Sequence, residues 1–111
     1  MAPITHVVSF RYKPTSLDSE KHLVASSFLA LQDLCVLDDG TDDRYVAVSG
    51  GANNSTEGQT KGYEHTFVLT FRTLAERDYY VDRDEAHQRF KEFAGQHVDD
   101  VFVFDYEAGR F

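Results

Sequence analysis

Apolar and polar residues alternate with a period of two over residues 4–12. His6, Val8, Phe10 and Tyr12 share one face and Thr5, Val7, Ser9 and Arg11 the other, the pattern of a half-buried strand. Lys13 and Pro14 end it, and Thr15-Ser16-Leu17-Asp18 has the form of a capping box, a hydroxyl followed three residues later by a carboxylate. The period then changes: Leu17, Val24, Phe28, Leu31 and Cys35 recur at spacings that place them on one stripe of a helix over residues 16–35. A polar turn at 38–42 leads to a second predicted strand over 44–49, ended by Gly50 and Gly51. Residues 52–61 carry no periodicity and read as an exposed loop over a pocket. Strict alternation returns over 62–71, with Tyr63, His65, Phe67, Leu69 and Phe71 opposite Glu64, Thr66, Val68 and Thr70. A short helix over 73–81 and a bend at 81–84 follow. Asp84 then caps a helical segment that runs to about Gly95 with the stripe Ala86, Phe90, Phe93 and Ala94. A fourth strand over 100–106 sets Val101, Val103 and Asp105 against Phe102, Phe104 and Tyr106.

The order strand, helix, strand, strand, helix, strand predicts an α+β, ferredoxin-like βαββαβ domain with an antiparallel sheet, occupying the whole of residues 1–111. Its helices can cover only one face of that sheet. The other face would leave apolar side chains in water, so a second copy is expected to cover it, giving a homodimer in the form of a dimeric α/β barrel.

Composition narrows the partners. The formal net charge is −8 and the eleven basic residues form no stripe, which excludes nucleic acid as an expected partner and disfavours an anionic membrane surface. Cys35 is the single cysteine, so an intrachain disulfide or a thiolate metal cluster is excluded, and its apolar neighbours point to an ordinary buried thiol. The opening MAPITHVVSF lacks the basic start and apolar stretch of a secretory leader, and no apolar run has the length of a bilayer span, so the cytosol is the expected compartment.

Three histidines occupy positions where an apolar residue would satisfy the pattern: His6 and His65 on strand faces, and His87 on the inner side of a helix near Phe90. Facing the helices, all three would converge, and neutral imidazoles among apolar groups can act as general bases. Taken singly, each reads best as a core histidine bonded to backbone groups; convergence lessens that preference without reversing it. Tyr80 and Tyr63 would stand beside the imidazoles as phenolic donors or as packing aromatics. Spacings such as His-x-His are missing, so no metal and no cofactor is expected. His22 and His97 fall among polar neighbours and read as surface residues, while Asp42-Asp43 and Asp99-Asp100 read as turn and cap residues. Asn53, Asn54, Ser55 and Glu57 lack the strand-to-helix context and the lysine of a phosphate loop.

The segments I-T-H-V-V-S-F-R-Y-K, G-Y-E-H-T-F-V-L-T-F, D-Y-Y-V-D-R-D-E-A-H-Q-R-F and V-F-V-F-D-Y, with the N-N-S-x-E-G loop, resemble the stress-responsive dimeric A/B barrel family, fungal branch, over nearly the whole chain. The resemblance implies tight homodimers whose sheets face each other with the helices outside. Many members are known only as stress-induced proteins. Members of the olivetolic acid cyclase type close a linear polyketide by aldol condensation without metal or organic cofactor. Carried over motif by motif, the resemblance implies His87 as catalytic base and Tyr80 as catalytic donor. His6, His65, Tyr63, Phe67 and Phe90 would then bind an apolar, carbonyl-bearing small molecule. One extra residue separates Tyr80 from His87, and Glu85 stands where a proline is usual. On a helix of 3.6 residues per turn the insertion turns Tyr80 by about 100°, which leaves Tyr79 as a substitute unless a bulge absorbs it. A cofactor-independent cyclase, lyase or binder is therefore the leading expectation. A non-catalytic stress-responsive homodimer and a cofactor-free monooxygenase are the alternatives.

Overall fold

Residues 2–111 are described by a computed structural model. The first alternating segment forms β1 (Ile4–Tyr12), whose inward side chains Ile4, His6, Val8, Phe10 and Tyr12 are all buried. It is followed by α1 (Asp18–Leu29), α2 (Leu31–Leu34), β2 (Ala47–Ala52), β3 (His65–Phe71), α3 (Leu74–Asp82), α4 (Glu85–Ala94) and β4 (Val98–Glu107). The strands pair antiparallel in the order β2-β3-β1-β4, the ferredoxin-like arrangement expected, with all helices on one face. The first predicted helix is two pieces, and the bend expected at 81–84 separates α3 from α4.

The first helix breaks at Ala30, and α2 packs against α4 so that Leu31 and Cys35 reach the core. The expected capping box at Thr15 does not form. Ser16 Oγ donates instead to the His97 carbonyl (2.8 Å), and the Glu20 carboxylate accepts from Leu17 N–H (2.7 Å). Because Leu17 lies outside the helix, it is 64% exposed, while the rest of the stripe (Val24, Phe28, Leu31, Cys35) is buried.

The second strand runs later than its sequence suggests: Arg44 makes a single bridge to Val36, and Gly50 and Gly51 lie inside β2. Gly50 is required there, since a Cβ would lie 2.4 Å from Cδ1 of Phe67 and 2.8 Å from the Thr66 carbonyl oxygen. The bare backbone lets the Phe67 ring lie flat on Phe28, with centroids 4.2 Å apart. Phe10 and Phe90 close around that pair and form the centre of the core.

The opposite face of the sheet has no cover in the monomer. Val68, Phe102, Phe104 and Tyr106 are 38%, 49%, 55% and 45% exposed, and register puts Phe104 and Val68 on either side of Val7. The loop after β2 turns toward this face: its residues Asn53–Lys61 border Ser9, Thr66 and Phe102. Its Asn53 and Thr60 also line a cavity beside α1 and His65, and none of its residues lines the cavity at His87.

Candidate active site

Three aromatic rings from three elements meet on the helix side of the sheet. His6 of β1 and Tyr80 of α3 are buried, and His87 of α4 is partly so. Tyr80 and His87 stack with centroids 3.8 Å apart and planes 12° from parallel, and His6 meets Tyr80 edge-on at 5.8 Å. The extra residue between Tyr80 and His87 is absorbed because α3 stops at Asp82 and Arg83 leaves helical geometry at φ −132°. The 100° rotation expected for a continuous helix therefore does not occur. Tyr80 faces inward, and Tyr79 packs half-buried against Tyr45. At the start of α4, Asp84 Oδ1 accepts from His87 N–H (3.1 Å) and Oδ2 from the Tyr45 hydroxyl (2.5 Å). A buried carboxylate needs both bonds, and together they set the helix start from which His87 reaches back to Tyr80. The Glu85 that replaces the usual proline sits at the first helical position, where a negative charge suits the helix dipole.

Each imidazole is held by its inner nitrogen. His87 Nδ1 donates to the Tyr80 carbonyl oxygen (2.7 Å), and a carbonyl can only accept, so the proton is on Nδ1 and Nε2 carries the lone pair. His6 Nδ1 lies 2.5 Å from Asp105 Oδ1, and Arg77 Nη1 donates to Asp105 Oδ2 (2.9 Å). Neither Nε2 has a protein partner, and neither is sealed from solvent; among the described residues only the Tyr80 hydroxyl is both buried and unpartnered. Burial is the main cause that lowers the His87 pKa to about 4, with Lys91 and His6 acting the same way against the Tyr80 carbonyl and Asp84. His87 is thus neutral at physiological pH.

Both imidazoles line a cavity of about 500 Å³ between α4 and the β1–β4 half of the sheet, walled by apolar side chains such as Val8, Phe10, Phe28 and Phe90. Its size and apolar lining with a few convergent polar groups suit a small organic ligand.

The model of the stress responsive A/B barrel domain matches residues 4–108. The chain belongs to this family. Solved structures agree on the A/B barrel fold. A protein of Arabidopsis thaliana is 22% identical with a TM-score of 0.81, covering 97% of each chain. The hydroxynitrile lyase of Passiflora edulis is 15% identical with a TM-score of 0.82, covering 99% of this chain and 96% of its own. A dimeric ferredoxin-like protein of unknown function from Jannaschia sp. is 20% identical with a TM-score of 0.74, covering 96% and 99%. A search of curated proteins found no match.

Within this A/B barrel domain the predicted site residues divide. His6, His87 and Phe90 share the cavity, while Phe67 lies behind its wall, fully buried against Phe28. The expected convergence of three histidines fails, because β1 and β3 are antiparallel and pair His65 with Phe10, far along the strand from His6. His65 shares a 2.7 Å hydrogen bond with the Tyr12 hydroxyl and lines a separate cavity of about 450 Å³ together with Tyr63. The Tyr63 hydroxyl is itself taken up, donating to Asp100 at 2.5 Å. Asp99 and Asp100 are consequently strand residues tied to Arg11 and Tyr63, not caps, and His97 is a half-buried residue packed on Phe93. Among the described residues no three His, Cys, Asp or Glu side chains group as a metal site, and no helix is long and apolar enough to cross a membrane.

Two residues of the site, Asp105 and Arg77, escaped sequence reading. The signal for Asp105 was present: it is the acid on the inward face of β4 in line with Val101 and Val103, and register sets it opposite His6. Tyr80, in contrast, does not line the cavity, and its hydroxyl lies in the core near Cys35 and Asp84. Burial also holds the Cys35 thiol protonated, as expected of an inert cysteine. Removing an unpartnered buried hydroxyl relieves a desolvation penalty. Tyr80→Phe should leave stability unchanged or raise it by up to about 1 kcal/mol, read by urea denaturation, and should leave any turnover within a few-fold of wild type.

Proposed function

We propose that this domain is a cofactor-independent lyase or cyclase that makes or breaks a carbon–carbon bond next to the carbonyl of an apolar, polyketide-like compound, and that it works as a homodimer. The observation that carries this reading is the pair of imidazoles that present unpartnered Nε2 atoms to one apolar cavity while their Nδ1 atoms are fixed from behind. His87 Nε2 takes the proton from the carbon or hydroxyl of the substrate. The low proton affinity that burial imposes on it is offset as negative charge develops on the substrate beside the imidazolium. His6, oriented by Asp105 and Arg77, meets the substrate oxygen. Tyr80 supports the stacked face of His87, and Phe90 packs against the ligand body. Aldol closure and the cleavage of a hydroxynitrile share this logic, and a hydroxynitrile lyase has the same fold.

The uncovered sheet face and the dimeric structures of the same fold support the homodimer reading. Native mass spectrometry tests both parts at once, on wild-type and His87→Ala protein incubated with a metabolite extract and no added cofactor. A species of twice 12.6 kDa is expected, with a small molecule retained or converted by wild type alone. An intact dimer that neither holds nor alters any compound would favour the second reading, a non-catalytic stress-responsive dimer. In that reading the His87 bond to the Tyr80 carbonyl is purely structural.

A further inference from the structure

We propose that the ligand of the helix-side cavity is an apolar carboxylate whose anionic group is bound by Lys91 at the cavity mouth. The inference rests on reading this cavity as a ligand site and adds the charge of what enters it. Lys91 lies one turn beyond His87 on α4 and lines the same cavity. It pairs with no carboxylate among the described residues; its ammonium has only a 3.5 Å contact to the Val81 carbonyl oxygen.

Every acid around the cavity, in contrast, is engaged. Asp99 accepts from Arg11 (2.8 Å), Asp100 from Tyr63 (2.5 Å), and Asp105 from His6 and Arg77. The one free cationic group is therefore Lys91 Nζ at the rim, while the Nε2 lone pair of His87 faces the interior, where the uncharged body of the ligand would lie. An apolar pocket with one unpaired cation at its mouth is complementary to a ligand with an apolar body and a single negative head. A dianionic phosphate would call for more than one cation. Lys91 also stands close enough to His87 to act on its protonation, so a carboxylate bound there would lie within reach of the proposed base.

The test compares 2-naphthoate with its uncharged isostere 2-naphthamide by isothermal titration calorimetry at low ionic strength, on wild-type, Lys91→Met and Lys91→Arg proteins. Lys91 is exposed, and methionine and arginine are good helix formers, so the variants keep the fold. Wild type should bind naphthoate about tenfold more tightly than naphthamide, the range of one charge-assisted hydrogen bond. Lys91→Met should remove that preference without changing naphthamide binding, and Lys91→Arg should restore it. Equal binding of the two probes by wild type, or a preference that survives in Lys91→Met, would overturn the carboxylate assignment and leave the pocket standing. Binding of neither probe would overturn it together with the reading of the cavity as a ligand site.

Discussion

His87→Gln should lower turnover of the compound that wild type converts by roughly 10²- to 10⁴-fold, the contribution of a positioned general base, while the protein stays folded. Glutamine keeps an N–H that can serve the Tyr80 carbonyl but has no basic nitrogen to replace Nε2. A variant that retains full activity would remove His87 from the mechanism. The same substitution has a signature in acid that a purely catalytic change would not produce. In the unfolded chain His87 protonates near its ordinary pKa of 6.5, whereas in the native state it does so only near 4. The unfolded state therefore binds more protons between these values, and native stability falls as pH is lowered. The stability is intact above about pH 6.5, is lost progressively through the window, and has gone below about pH 4. A shift of this size corresponds to about 3 kcal/mol. Urea titrations from pH 7 to pH 4 should show that loss in wild type, and His87→Gln should flatten it by a similar amount. An unchanged slope in the variant would mean that His87 is not the group that stays neutral.

Phe28→Ala should cost about 3–5 kcal/mol of stability, the range for removing a buried aromatic. Phe28 is 2% exposed and lies between Phe67 and Phe90, with centroids 4.2 and 4.9 Å away and Phe10 at 5.8 Å. The hole cannot collapse easily, because Phe67 is already pressed against the bare backbone of Gly50 and Phe90 is fixed on α4. A domain of this size has only about 5–15 kcal/mol in total, so the variant should be close to unfolding. Chemical denaturation at one fixed protein concentration is the measurement, since the proposed dimer would make stability depend on concentration. A loss below about 1 kcal/mol would show that the aromatic cluster can repack around the gap.

The strands were the most legible part of the chain. The two-residue period over β1 and β3 marked which residues face the helices, and that assignment holds at His6, Val8, Phe10, Phe67, Leu69 and Phe71. The second strand was misplaced because Gly50 and Gly51 signal a turn locally, whereas their place is decided by the Phe67 ring crossing the neighbouring strand. The capping box failed for a similar reason. The chain before α1 is instead tied to the far end of the sequence, Ser16 donating to the His97 carbonyl eighty-one residues away, so that the helix starts after Leu17 rather than Thr15.

For the site, local patterning was enough to set the ferredoxin-like order of elements, the apolar sheet face left without cover, and the identity of the residues worth asking about. His6, His87 and Phe90 were found because each breaks or continues a periodicity that is local. Which of them meet is fixed by contacts between distant segments. Antiparallel pairing sends His65 to the far end of the sheet and brings Asp105 to His6 across ninety-nine residues. The non-helical Arg83 returns Tyr80 to His87 despite the added residue, and burial of that phenol takes its hydroxyl away from the cavity. Periodicity records which face a side chain occupies. Strand register and a break between two helices set its position along that face, and those depend on contacts between segments far apart in the chain.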